Sequence, residues 1–210
     1  MKHVDQKGFT IIEMLVAVSV FVMITGGIVL LQRNMLTASK LISDGLTSQQ
    51  QVRKLFKEFQ AEARIMQASE SGAYPITEAA TSSFAFYSDY DHDGDVERVR
   101  YFYATTTNSI NKGVIEPSGV GTTTYLASDE RVSIKVNNIS LRSTSSPLFM
   151  YYSSNFDGVA TNTALASPVV ITSIRHVSMG VWIVSSLKNA TSTAVYFQTE
   201  VTPRNIKDNL

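Results

Sequence analysis

An apolar run near the amino terminus constrains this chain more than any other feature. It extends from Phe9 to Leu31 and contains one charged side chain, Glu13, among its 23 residues. A helix of that length reaches roughly 34 Å at a rise of about 1.5 Å per residue, and the hydrocarbon core of a bilayer is about 30 Å thick. The run therefore predicts a helix that spans a membrane once.

Glu13 is unusual in such a segment. An ionisable side chain costs roughly 2.5–3.5 kcal/mol near the centre of a span, so its presence there favours a functional role. Glu13 follows Phe9 by only four residues, which would put it near the membrane interface, where this cost is smaller. That position explains how the carboxylate is tolerated, but it does not explain its purpose.

The segment before the run differs from a secretory signal peptide, in which a basic region and a short apolar core precede a small-residue cleavage site. Here residues 1–8 (MKHVDQKG) are basic and end in Gly8, and the apolar run follows them. Cleavage after Gly8 would therefore leave the hydrophobic helix on the mature protein.

The junction Lys7-Gly8-Phe9-Thr10-Ile11-Ile12-Glu13 resembles the class III leader of type IV pilins and type II secretion pseudopilins. The resemblance implies that a membrane aspartic peptidase, the prepilin peptidase, cleaves between Gly8 and Phe9 and that the new Phe9 amine is methylated. A bulky residue at position 8 should block cleavage. Glu13 would be the fifth residue of the mature chain, and the resemblance implies that it meets the N-terminal amine of a neighbouring subunit. Two charges that are each costly in lipid become tolerable as a pair.

The same resemblance implies a location and a set of partners. The chain would cross the cytoplasmic (inner) membrane once, with its C-terminus outside, and would later enter a cell-surface or periplasmic filament. Its partners would be other pilin or pseudopilin subunits, the prepilin peptidase/methyltransferase, the inner-membrane assembly platform with its ATPase, and membrane lipid before assembly. Charge marks this orientation only weakly, because Lys2 and Lys7 precede the run while Arg33 and Lys40 follow it.

Composition narrows the functional classes further. The length of 210 residues allows one anchor helix and one globular domain, and 18 basic residues balance 18 acidic ones, so net charge does not favour a nucleic-acid partner. The absence of cysteine excludes disulfides, thiolate metal sites and cysteine nucleophiles. No glycine-flanked nucleophilic serine and no paired histidines at metal spacing occur. The chain is therefore predicted not to be an enzyme and to require no cofactor.

Helical periodicity continues beyond Leu31. Apolar residues recur at intervals of three and four, with charged residues between them, which indicates an amphipathic helix with one buried face. No proline interrupts the stretch from Phe9 to Gln67, so one long helix is predicted, with Gly26-Gly27 either as a weak point or as a place of close helix packing. The predicted buried positions are Val52, Leu55, Phe56, Phe59, Ala63 and Met66, and the predicted solvent positions are Arg53, Lys54, Lys57, Glu58 and Glu62.

The remainder of the chain favours antiparallel strands. Residues 68–83 are small and polar and contain Gly72 and Pro75, which predicts a loop leaving the helix. Strands are then predicted from alternating apolar residues, and Ser/Thr-rich loops at 105–109, 143–146 and 161–163. The predicted strands are Ser83–Ser88, Glu97–Ala104, Ser109–Ile115, Thr123–Ala127, Val132–Leu141, Leu148–Ser153, Val169–Trp182 or beyond, and Thr193–Val201.

These patterns predict four segments: a leader at 1–8, a transmembrane half-helix at 9–31, an amphipathic half-helix at 32–67, and a β-rich globular domain at 68–210. The predicted fold class is α+β and pilin-like, with a long N-terminal helix packed on antiparallel β-sheet.

Three segments of the globular part resemble the J-type minor pseudopilins and the W-type minor pilins. They are Phe86-Tyr87-Ser88-Asp89, Glu97-Arg98-Val99-Arg100-Tyr101-Phe102 and Thr202-Pro203-Arg204-Asn205. The resemblance implies a low-copy structural subunit that initiates or caps a filament. An alternative function is a tip adhesin or a DNA-uptake pilin, which requires a basic or aromatic exposed patch, with Tyr151, Tyr152 and Trp182 as candidates. Core packing is the competing prediction for Trp182.

The segment Asp89–Glu97, which ends at the first residue of the second predicted strand, carries five carboxylates. Asp89, Asp91, Asp93, Asp95 and Glu97 alternate with other residues, and Gly94 lies among them. Such alternation is typical of the first half of a calcium loop, in which oxygens at every second residue converge on one hard cation. The second half departs from that pattern, because Arg100 occupies the place of the bidentate glutamate. The open alternatives are a calcium site and a solvated acidic hairpin tip in which Gly94 supplies the turn.

Overall fold

The computed structural model describes residue 8 and residues 10–119, 123–137, 139, 147–156, 158, 164–184 and 194–206. Phe9, most of the leader, and the loops predicted at 143–146 and 161–163 lie outside the described residues. The chain divides into two compact units, Met1–Asp44 and Gly45–Leu210.

The first helix, α1, extends from Ile11 to Arg64. Between Ile11 and Ser39 its apolar side chains are exposed around the whole circumference, and Phe21 and Met23 are more than two-thirds exposed. Among the described residues one helical segment, Ile11–Ser39, is long and apolar enough to cross a membrane, with a mean hydropathy of 2.6. The helix passes through Gly26 and Gly27 without interruption.

The second unit contains the last part of α1 and two antiparallel sheets. The five-stranded sheet has the order β1-β2-β3-β4-β5, so each strand pairs with the next along the chain. The three-stranded sheet has the order β6-β7-β8. The strands are β1 (Ile76–Ala79), β2 (Ser83–Ser88), β3 (Glu97–Ala104), β4 (Ser109–Ile115), β5 (Arg131–Val136), β6 (Phe149–Tyr152), β7 (His176–Val184) and β8 (Ala194–Val201). The predicted α+β class with a long N-terminal helix is confirmed.

The core of the second unit lies between the end of α1 and the two sheets. All six apolar positions predicted for the amphipathic half of the helix are buried or partly buried there. The helix ends at Arg64 rather than at the predicted Gln67, so Met66 is buried just beyond α1. Phe59 occupies the junction, because its ring centroid lies 5.4 Å from that of Tyr101 in β3 and 5.9 Å from that of Phe149 in β6. One aromatic side chain of the helix therefore contacts both sheets.

Several strand predictions need correction. β1 lies within the predicted exit loop; it is a four-residue strand with one buried side chain, Ile76, so it produces no apolar alternation. The predicted strand Thr123–Ala127 is wrong, because Thr124 forms only an isolated bridge with Ser118 and Ala127–Asp129 is a 3-10 turn.

Two further strands are shorter than predicted. β5 ends at Val136, although Ile139 bridges Ile183 of the second sheet. β7 begins at His176, because the apolar residues before it form a 3-10 turn at Ile171–Ser173.

Candidate functional sites

The first turn of α1 holds Glu13 in a local network. Its Oε2 accepts hydrogen bonds from the Thr10 backbone amide (3.0 Å) and the Thr10 hydroxyl (3.2 Å). The Glu13 amide in turn donates to Thr10 Oγ1 (3.3 Å). This reciprocal arrangement is a capping box, which satisfies amides that the helix leaves unpaired at its start. Glu13 was predicted to act only in assembly, although the spacing Thr-x-x-Glu was the available signal for the cap.

Gly8 is exposed, and no heavy atom lies within 4 Å of the position that an added Cβ would occupy. A larger residue at position 8 therefore meets no obstacle among the described residues. Any effect of bulk at this position would have to arise in the peptidase that recognises it.

A buried ion pair lies where α1 crosses the five-stranded sheet. Lys112 of β4 is 3% exposed, and its Nζ contacts Glu62 Oε1 at 2.5 Å and Glu58 Oε1 at 3.2 Å. The hydroxyl of Tyr101 donates to Glu62 Oε2 at 2.7 Å, and Lys135 binds Glu58 Oε1 at 2.6 Å. The assignment of Glu62 to the solvent face of α1 is therefore wrong, and Glu58 is only partly exposed.

The spacing of Glu62 could have revealed its burial. It follows Phe59 by three residues and Leu55 by seven, so it lies on the same helix face as these buried residues. Burial raises the pKa of Glu62, with Lys112 opposing the shift. Burial also acts to raise the pKa of Glu58, but the hydrogen bond from Lys135 and the charges of both lysines outweigh it, so that this pKa is lowered.

The acidic hairpin between β2 and β3 brings together three of the five predicted carboxylates. One carboxylate oxygen each of Asp89, Asp91 and Glu97 lies within 4.8 Å of the others. Asp93 is outside this group and accepts a hydrogen bond from the Asp95 amide at 2.9 Å, and both of these residues are exposed. Gly94 has a φ of +100°, as the predicted turn requires.

Glu97 differs from its neighbours in being fully buried. Its Oε2 accepts a hydrogen bond from the Tyr90 amide at 3.2 Å, whereas its Oε1 has no partner, and Asp89 Oδ1 is also buried without a partner. Burial raises the pKa of Glu97 to about 7, and the Tyr90 amide only partly offsets this effect. The three carboxylates form the set in the described chain that could hold a cation.

The predicted aromatic surface is largely absent from the described domain. Tyr151 is 2% exposed and donates from its hydroxyl to the Ala80 carbonyl at 2.7 Å, and Tyr152 is buried and stacks on Phe156. Both residues are therefore core residues rather than parts of an adhesive face. Trp182 is partly exposed and pairs with Tyr196, with ring centroids 4.8 Å apart.

Residues from the three segments that resemble minor subunits meet around the end of α1. The hydroxyl of Ser88 donates to the Glu62 carbonyl (3.1 Å), and the Arg204 amide donates to the Arg64 carbonyl (3.1 Å). Asn205 donates from Nδ2 to the Met66 carbonyl at 3.0 Å, and Tyr101 binds the Glu62 side chain. The contacts from Ser88 and Arg204 bind carbonyls in the last turn of α1, where a helix leaves carbonyls without an intrahelical partner.

Comparison with known families identifies one motif. The model of the prokaryotic N-terminal methylation motif matches residues 4–29, which include Gly8, Phe9 and Glu13. No curated protein and no solved structure matches the chain.

The methylation motif is of the prepilin type and supports the type IV pilin and pseudopilin family, which is structural rather than catalytic. It implies processing by a prepilin peptidase and assembly with other pilins. Together with the apolar helix Ile11–Ser39, it indicates anchoring in the inner membrane.

Proposed function

We propose that this chain is a structural minor pilin or pseudopilin that initiates or caps a type IV pilus or a type II secretion pseudopilus. The observation that carries the proposal is a prepilin-type motif whose carboxylate, Glu13, lies in the first turn of an exposed apolar helix. The prepilin peptidase would cleave between Gly8 and Phe9, and the Phe9 amine would be methylated. The assembly platform and its ATPase would then move the subunit from the membrane into the filament.

The geometry of Glu13 suits the transfer of the subunit from the membrane into the filament. In the single chain its Oε2 is bound only within its own first turn, by Thr10. An ionised carboxylate offers about four acceptor sites, so Glu13 can keep its cap and still accept the N-terminal amine of a neighbouring subunit. Such a pair would fix the axial register of adjacent helices, because it can form at one relative height only.

The exposed apolar surface of α1 supports the same sequence of events. Side chains such as Phe21, Met23 and Leu30 have no cover within the described chain. Lipid covers such a surface before assembly, and the helices of neighbouring subunits can replace it afterwards, since both are apolar.

The minor-subunit assignment is supported by the resemblance of three segments to J-type pseudopilins and W-type minor pilins, and by the meeting of their residues around the end of α1.

The alternative, a tip adhesin or a DNA-uptake pilin that binds nucleic acid, is supported by the partly exposed pair of Trp182 and Tyr196. Mutating both to serine should leave filament assembly intact and reduce adhesion or DNA uptake under that alternative only.

The test is a Glu13→Ala variant produced in a host that carries the cognate assembly machinery. The variant should be cleaved and inserted into the membrane at parental levels, yet be absent from sheared filaments or pseudopili, because the neighbour's amine has lost its partner. Ser19→Ala is the matched control, since Ser19 lies in the same exposed helix and its hydroxyl binds only the Val16 carbonyl.

Mass spectrometry of the membrane fraction should show a chain that begins at Phe9 and carries one methyl group. Normal incorporation of the Glu13→Ala variant, or a mature chain that begins at Met1, would contradict the proposal.

A further inference from the structure

We propose that Asp89, Asp91 and Glu97 form a calcium site at the base of the β2–β3 hairpin. This inference does not rest on the proposed filament role, because it depends only on the geometry of the hairpin. It also differs from the five-residue calcium loop that the sequence pattern predicted, since Asp93 and Asp95 are left out of the site.

The backbone explains why these three residues converge. Ser88 and Glu97 are the terminal paired residues of β2 and β3, so Asp89 directly follows the residue that pairs with Glu97. The intervening loop turns back through His92, with a φ of +66°, and Gly94, with a φ of +100°. After that reversal Asp91 lies with Asp89 and Glu97, whereas Asp93 and Asp95 are exposed and outside the group.

The distances suit one shared cation. Calcium binds oxygen ligands at about 2.3–2.6 Å, so two oxygens on the same ion can lie up to roughly 5 Å apart. The three ligand oxygens lie within 4.8 Å of one another and can therefore reach one calcium ion without rearrangement of the backbone. Magnesium requires a near-octahedral shell at about 2.0–2.1 Å and loses its water reluctantly, which makes it the weaker candidate.

Glu97 provides an independent indication of a ligand. Its side chain is completely buried, yet its Oε1 has no hydrogen-bond partner. Asp89 is only partly buried as a residue, but its Oδ1 atom is buried and also has no hydrogen-bond partner. Buried carboxylate oxygens are normally hydrogen-bonded or paired with a cation, because an unpaired one loses its hydration without compensation.

No lysine or arginine in the described parts of the chain forms an ion pair with any of the three carboxylates. The nearby Lys112 lies with its Nζ 4.2 Å from the centre of the Tyr90 ring, but it is already bound to Glu58 and Glu62. A bound divalent cation would supply the missing positive charge and both missing contacts.

The surrounding contacts hold the site in shape. The Tyr90 amide fixes the second oxygen of Glu97, and the hydroxyl of Tyr125 donates to the Val96 carbonyl at 2.6 Å. The hairpin base is therefore anchored on both sides of Glu97, and the exposed Asp91 can complete the site from the loop.

The experiment uses the full chain in detergent micelles after treatment with a chelator. Calcium is titrated by calorimetry, and thermal unfolding is followed by the fluorescence of Trp182. We expect one calcium per chain with a dissociation constant on the order of 10⁻⁴–10⁻³ M, as in extracellular modules. Calcium at about 100 times that constant should raise the Tm by roughly 5–10 °C, and magnesium should bind at least about tenfold more weakly.

Two pairs of variants distinguish the site from a diffuse acidic tip. Asp89→Asn and Asp91→Asn should each weaken calcium binding by at least about tenfold, because each removes one charged ligand. Asp93→Asn and Asp95→Asn remove the same charge from the same loop but lie outside the cluster, so they should leave the affinity within about twofold of the parent.

A Glu97→Gln variant guards against a merely structural explanation. Without calcium its Tm should equal or exceed that of the parent, because an unpaired buried carboxylate has been removed; with calcium its Tm should not rise. The proposal is overturned if no binding is detected up to about 10 mM calcium, roughly ten times the weakest expected constant. It is equally overturned if Asp93→Asn weakens calcium binding as much as Asp91→Asn does, or if magnesium binds as tightly as calcium. A third contradicting outcome is a Glu97→Gln variant whose Tm without calcium is lower than that of the parent and whose Tm still rises when calcium is added.

Discussion

Glu13 and Glu62 lie in the same helix, and their surroundings are opposite. Glu13 is exposed among apolar side chains that nothing in the described chain covers, and its contacts are confined to Thr10. Glu62 is buried and is bound by Lys112 of β4 and Tyr101 of β3. The chain thus supplies the partners of Glu62 from distant strands, whereas in the described chain Glu13 is bonded only within its own helical turn and stays exposed.

The same contrast applies to the apolar residues around them. The first unit holds its helix by backbone hydrogen bonds and leaves its hydrophobic surface to its surroundings. The second unit buries one face of the helix against two sheets. A substitution should therefore affect the stability of the folded domain in one half of α1 and leave it unchanged in the other.

Phe59→Ala and Phe21→Ala test this difference most directly. Phe59 is completely buried among rings of both sheets, so its loss should lower the free energy of unfolding by about 4–5 kcal/mol. Phe21 is 70% exposed, and Phe21→Ala should change that free energy by less than about 0.5 kcal/mol. Urea unfolding of the full chain in detergent, followed by Trp182 fluorescence, measures both values. Equal losses of unfolding free energy in the two variants would contradict the difference between the two halves of α1.

Lys112→Met should have the next largest effect. It preserves the volume of the lysine stem but leaves Glu62 buried without its cation, which should cost about 3 kcal/mol. Arg131→Met is the control, because Arg131 is 79% exposed in its ion pair with Glu116, and such pairs contribute about 1 kcal/mol or less. The same urea titration measures the free energy of unfolding of both variants. A Lys112→Met variant as stable as Arg131→Met would show that the buried ion pair is not needed for the stability of the domain.

The smallest effect concerns the pH dependence of domain stability. The pKa of Glu58 is lowered in the folded protein, so its contribution is present above its ordinary value of 4.5 and is lost as the pH falls. The pKa of Glu62 is raised, so its contribution is full below 4.5 and is lost as the pH rises. Glu58→Gln should therefore reduce the loss of stability on acidification, and Glu62→Gln should increase it. Unfolding curves measured between about pH 3 and pH 7 give the slope of the unfolding free energy against pH for the parent and for each variant. If both variants changed this slope in the same direction relative to the parent, the assigned environments would be contradicted.

The sequence predicted the parts of this fold that depend on periodicity. The buried face of α1 and the strands β2, β3 and β4 follow from apolar spacing alone, and these strands were predicted with the bounds that the structure has. β1 could not be found in this way, since it is an edge strand held by backbone pairing to β2 with a single buried side chain. The predicted strand at Thr123–Ala127 failed for the converse reason, because its residues suit a strand but no neighbouring strand pairs with them beyond Thr124.

The candidate sites show a similar division. The motif around Gly8, Phe9 and Glu13 is local in sequence and could be identified there. The carboxylate cluster could be predicted only as a group of five residues, because the selection of Asp89, Asp91 and Glu97 depends on how the hairpin turns. The pairing of Glu62 with Lys112 joins residues 50 positions apart, and no local pattern predicts which strand will supply the lysine.

The contacts at the end of α1 also constrain the order in which the protein can be completed. The carbonyl of Met66 is bound by Asn205, 139 positions further along the chain, and the carbonyl of Arg64 is bound by the amide of Arg204. These bonds cannot form while the later part of the chain is still on the ribosome. The domain therefore reaches its final hydrogen bonding only after its last strand has been synthesised, so its maturation is tied to the end of synthesis rather than to the beginning.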